Sequence, residues 1–172
     1  TIAARLIPRR PGFGPARDGG GYRMGGMIGE LIRRLTVLGD ATPLSRADSR
    51  LAYAALMVRL ARSDDRYSAR ERARIDALLG AHYGLAPAAA VALRAEAEVA
   101  EEAAPDTVQF TRLIKQTVPY EERVDVIEAL WRLAATDGID ADERAFLRLV
   151  ANLLGVRDQD SGLARQRVER GD

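Results

Sequence analysis

Leu56–Asp65 reads LMVRLARSDD, and 73 residues further on Ala129–Gly138 reads ALWRLAATDG. Arg59/Arg132, Leu60/Leu133, Ala61/Ala134 and Asp64/Asp137 are identical across the two segments. Past the turn the offset becomes 72: Ser68–Ala77, SARERARIDA, aligns with Asp140–Leu149, DADERAFLRL. Ala69/Ala141, Glu71/Glu143, Arg72/Arg144 and Ala73/Ala145 match there. Each copy is an apolar helix, an acidic turn and a second helix with a start signal. One such hairpin leaves an apolar face bare, and two packed together cover it. The duplication predicts an all-α bundle in which approximate two-fold symmetry brings both acidic turns to one region.

The flanking sequence extends the helical pattern. Ile28, Leu31, Ile32, Leu35 and Leu38 recur at helical spacing, and Gly39 is a stop. Ser45 with Asp48 starts the helix that leads into the first copy. Gly84 ends its partner, and Pro87 opens an alanine-rich helix to about Ala104. Asp106 or Thr107 caps a further helix through Phe110, Leu113 and Ile114, and Pro119 opens the helix of the second copy. Asp140 to Gly155 bounds the next, and a short one runs from about Asp158 to Val168. No strand pattern is present. The expectation is a bundle of seven to eight helices over residues 27–172. Residues 8–26, PRRPGFGPARDGGGYRMGG, are too rich in Gly and Pro for a core, so 1–26 reads as a disordered tail. Met24 and Met27 are each a candidate natural start.

Composition removes most catalytic classes. The chain has no Cys and one His, His82, so Cys-ligated zinc, thiolate nucleophiles and two-His sites are excluded. A Ser-His-Asp triad would have to use His82. Residues 1–26 hold five Arg and one acid, and the remainder carries a net charge of −3, so nucleic acid is not an expected partner. Of 26 basic residues 25 are Arg, which together with the abundance of Ala reads as coding bias. No apolar run reaches membrane-spanning length. A cytoplasmic, non-enzymatic protein is expected. The Met27–Leu38 stripe, flanked by Arg33 and Arg34, is expected to pack on its own bundle; a partner protein or peripheral contact with an anionic membrane is the alternative.

The acidic turns supply one set of candidate ligands. Asp64, Glu71, Asp137, Asp140 and Glu143 offer hard oxygens suited to a divalent cation, although no twelve-residue calcium loop is present. Ser68/Glu71 and Asp140/Glu143 also have capping-box spacing, which needs no metal. On the later helix Glu121, Asp125 and Glu128 form one acidic stripe, a solvated face or an interaction surface, with Arg132 placed to neutralise Glu128. His82 ends its helix, where a cationic imidazole meets the helix dipole well.

ARSDDRYSARE at 61–71, HYGL at 82–85, LWRLAATDGIDADE at 130–143 and NLLGV at 152–156 together resemble the TerB-like family, named for tellurite resistance protein B. That family carries two acidic turns of the form A-D-G-x-x-D-x-x-E, an H-[FY]-G-L helix end and an L-W-R-x-A helix. Asp65 stands here in place of the first turn's Gly and Ser68 in place of its second acid; the second turn is one residue short. The resemblance implies an all-helical duplicated domain without established catalysis or a required cofactor, linked to metal or oxyanion stress and to protein partners. It also implies a suggested metal role for the acidic turns. Deleting residues 1–26 is expected to leave the thermal midpoint unchanged, since the body has its own periodic core; a large drop in a melting experiment would show that the tail docks.

Overall fold

The computed structural model describes residues 45–63, 67–104, 106–135 and 138–171. The tail, the Met27–Leu38 stripe, Asp64 and Asp137 lie outside the described residues. The described chain forms seven helices and no strand: α1 Arg46–Ala61, α2 Ala69–Tyr83, α3 Pro87–Ala103, α4 Val108–Thr117, α5 Tyr120–Ala134, α6 Ala141–Leu154 and α7 Asp158–Arg170. The all-α expectation holds.

α1 is the centre. Of its 16 residues, 12 are buried, and only Arg46, Ala47, Arg50 and Arg59 are not. A helix apolar on every side has to be wrapped on every side, and α2, α3, α4, α5 and α6 all pack against it. Its small residues Ala52, Ala54, Ala55 and Ala61 let neighbours approach closely, while Leu56, Met57 and Leu60 fill the space between them.

The duplication is larger than the hairpin pair. α3 packs on α1 and α2 just as α7 packs on α5 and α6, so the repeating unit has three helices. The cross-contacts are reciprocal: α1 touches α6, α5 touches α2, and α1 touches α5. That reciprocity is the signature of a two-fold relation. α4 links the units and packs on α1, α5 and α6.

Local signals explain where each helix starts and stops. Ser45/Asp48, Ser68/Glu71 and Asp140/Glu143 all form complete capping boxes. Thr107 makes no side-chain cap; Asp106 instead accepts from Val108 N at 2.9 Å and Gln109 N at 3.3 Å. α2 and α6 end in matching left-handed glycines, Gly84 (φ 65°) and Gly155 (φ 68°). The amide after each reaches back across the helix end, Leu85 N to Gly80 O at 3.0 Å and Val156 N to Ala151 O at 2.9 Å. These pairs are 71 apart, because α6 is one residue shorter than α2.

Arg59 locks the first unit. Its Nε donates to Glu101 Oε1 at 2.9 Å, and its Nη2 donates to the carbonyls of Glu101 (3.1 Å) and Ala104 (2.8 Å), closing the end of α3. Arg62 completes the carboxylate at 2.6 Å. The repeat-equivalent Arg132 reaches α7 indirectly: it donates to Glu128, which also accepts from Arg167, both at 2.7 Å. Arg59→Met is expected to lower stability by about 2–3 kcal/mol, because a half-buried carboxylate and two carbonyls lose donors together. Glu169→Ala, in an exposed pair with Arg165, is expected to cost under about 0.5 kcal/mol. Urea unfolding of the two variants checks the contrast.

Candidate functional site: capped acidic turns and a cavity between the units

The described part of the acidic turns is built from capping bonds. Ser68 N donates to Glu71 Oε2 at 2.7 Å, and Glu71 N donates to Ser68 Oγ at 3.2 Å. Asp140 N donates to Glu143 Oε2 at 3.0 Å, and Glu143 N donates to Asp140 Oδ1 at 2.7 Å. Gly138, at φ 92°, turns the chain into that second cap. Around the first turn, Tyr67 donates to Glu98 at 2.7 Å, and the Arg62 and Arg72 guanidiniums lie 5.1 and 5.4 Å from its ring. Among the described residues no group of three or more His, Asp or Glu side chains converges as a metal cluster. Asp64 and Asp137, outside that description, are not placed.

The acidic stripe divides in two. Glu128 is half-buried and held by Arg132 and Arg167. Glu121 and Asp125 are exposed on the wall of an open groove of about 360 Å³ between α5 and α7. Arg157, Asp160 and Arg167 also line it, with Leu163 44% exposed among them. Its end is set by Tyr120, which donates to Asp160 Oδ2 at 2.5 Å and accepts from Arg157 N at 3.1 Å. The Tyr120 and Arg157 bonds hold the Asp160 carboxyl below the usual range.

A second concavity was not legible in the sequence. Where the starts of α1 and α5 meet the ends of α2 and α4 there is a cavity of about 40 Å³. Arg46/Pro119, Ser49/Glu122 and Tyr53/Val126 line it in pairs that are 73 apart, so it sits between equivalent positions of the two units. Tyr53 is 1% exposed, and its hydroxyl has no hydrogen-bond partner. Burial pushes that hydroxyl well above the ordinary tyrosine value. His82 lies 5.1 Å from the Tyr53 ring and 4.5 Å, edge-on, from Tyr83. Desolvation against those rings lowers the imidazole pKa, Asp125 opposing and Arg50 adding to the shift. At this helix end desolvation thus works against the cationic form. The missed signal was Tyr53 itself, a hydroxyl on a helix with hardly any polar side.

Fold and site together define an all-helical domain made of two fused three-helix units with capped acidic turns. The family model for tellurite resistance protein TerB matches residues 50–166, spanning both units, and the chain belongs to that family. No curated protein and no solved structure matches it. TerB is not a known enzyme family. Among the described residues no single helix is long and apolar enough to cross a membrane.

Asp140→Ala is expected to cost about 1 kcal/mol, equally with and without EDTA, and Asp140→Ser to recover most of it. Chemical denaturation checks this. A gain of several kcal/mol on adding a divalent cation, abolished by Asp140→Ala, would instead demand a bound metal.

Proposed function

We propose that the chain is a non-enzymatic protein-interaction module of a metal and oxyanion stress response of the tellurite type, working in the cytoplasm through protein partners and not through nucleic acid. The α5–α7 groove carries this reading. Glu121 and Asp125 on one wall and Arg157 and Arg167 on the other surround an exposed leucine, an apolar centre with a charged rim. That anatomy suits a docked polypeptide better than a reacting small molecule. Glu128 takes a positioning part, since its bond from Arg167 fixes α7 against α5, with Arg132 steadying the carboxylate from the same helix.

The alternative is a divalent-cation sensor using Asp64, Glu71, Asp137, Asp140 and Glu143. It would require Glu71, Asp140 and Glu143 to surrender or share backbone N–H bonds already made. Those bonds are the reason for preferring the interaction reading.

A photo-crosslinking amino acid at position 121, introduced in the native cell, tests the proposal. A discrete protein adduct is expected, lost on Leu163→Arg and retained on Leu149→Arg, which alters an exposed leucine of α6. No adduct, or one indifferent to Leu163→Arg, would overturn it.

A further inference from the structure

The cavity between the two units is chemically asymmetric although its position is shared by equivalent residues. Arg50 and Arg123 are equivalent, 73 residues apart. Arg123 is committed, since its Nη1 donates to the Leu154 carbonyl and closes α6. Arg50 instead lies over the Tyr83 ring, 5.0 Å from its centroid. It makes no hydrogen bond or ion pair among the described residues, and it lines the cavity. That contact holds the guanidinium against the ring face and leaves the donor fork unused.

The other polar groups narrow the choice of ligand. Ser49 Oγ donates to the Arg46 carbonyl at 2.9 Å, and Thr117 Oγ1 donates to the Leu113 carbonyl at 2.8 Å. Their protons are already placed. The Arg50 fork and the buried Tyr53 hydroxyl are two donors still in search of an acceptor. A buried unpaired hydroxyl costs about 1–3 kcal/mol, so an acceptor that reaches it is favoured. Glu122 lines the same cavity but accepts nothing from Tyr53. Arg46 and Arg50 outnumber it among the charged lining residues, so the cavity wall carries a net positive charge. The remaining wall is apolar, from Ile114, Val118 and Val126. A volume of about 40 Å³ holds about three water-sized groups, close to the heavy atoms of a two-carbon acid.

We infer that this cavity binds a small carboxylate, its oxygens on the Arg50 guanidinium and the Tyr53 hydroxyl and its short carbon tail against Ile114, Val118 and Val126. A planar carboxylate matches the arginine fork through two parallel bonds. His82 beside it is desolvated, which lowers its pKa. The site is separate from the α5–α7 groove, and its test does not depend on any partner.

His82 is the single histidine of the chain and touches the cavity, so its ring proton resonances report binding without ambiguity. Titration of the full chain with sodium acetate, against sodium chloride at equal ionic strength, is expected to shift them saturably with acetate alone. Arg50→Gln should weaken that binding about tenfold or more, and Tyr53→Phe should weaken it while leaving the fold and the chloride baseline intact. An alanine tripeptide with a free carboxyl end, compared with its amide, separates a free acid from the end of another chain as the carboxylate's source. A non-saturating shift shared with chloride, or equal acetate affinity in Arg50→Gln, would overturn the inference.

Discussion

Burying α1 from every direction is the constraint to which the rest of the structure answers. Its 12 buried residues include almost no polar groups beyond Asp48, Ser49 and the Tyr53 hydroxyl. Desolvating that much apolar surface is a large driving force, at roughly 25 cal/mol per Å². It is realised only when α2, α3, α4, α5 and α6 all assemble around the helix. α5, the equivalent of α1, keeps a partly exposed face with Glu121 and Asp125. The two units are therefore unequal: α1 is buried on nearly every side, while α5 shares the core and keeps a charged exposed face.

The turns show how the two copies tolerate drift. The offset falls from 73 to 72 across the acidic turn and to 71 by the helix-ending glycines. Neither loss disturbs the cap chemistry. Ser68 and Asp140 do the same job with different oxygens, since a capping position asks only for a short side-chain acceptor. Gly84 and Gly155 are retained because a left-handed helix end disfavours any Cβ. Among the described residues of these turns, Glu71, Asp140 and Glu143 are already in use by the backbone.

The arginines divide along the same line. Arg59 and Arg132 both tie the first helix of a unit to its third, but through opposite charge arrangements: a glutamate on α3 and an arginine on α7. Arg123 closes a helix end, while Arg50 rests on an aromatic ring beside a cavity. An inherited pair of positions thus holds one structural and one uncommitted guanidinium. The uncommitted one lies beside the unpartnered Tyr53 hydroxyl.

The sequence by itself determined the helices, their caps, the hairpin duplication and the family, because periodicity, capping spacing and glycine stops are local properties written within a few residues. Glu128–Arg132 was legible as a pair for the same reason. Only the tertiary structure decided that α3 and α7 belong to the repeat, since their sequences diverged while their packing did not. It also decided that His82 is held toward its neutral form, that Glu128 is shared with Arg167, and that Tyr53, His82 and Arg50 meet in one cavity. Desolvation and long-range convergence depend on which faces of separate helices come together, and no local spacing in the chain encodes that.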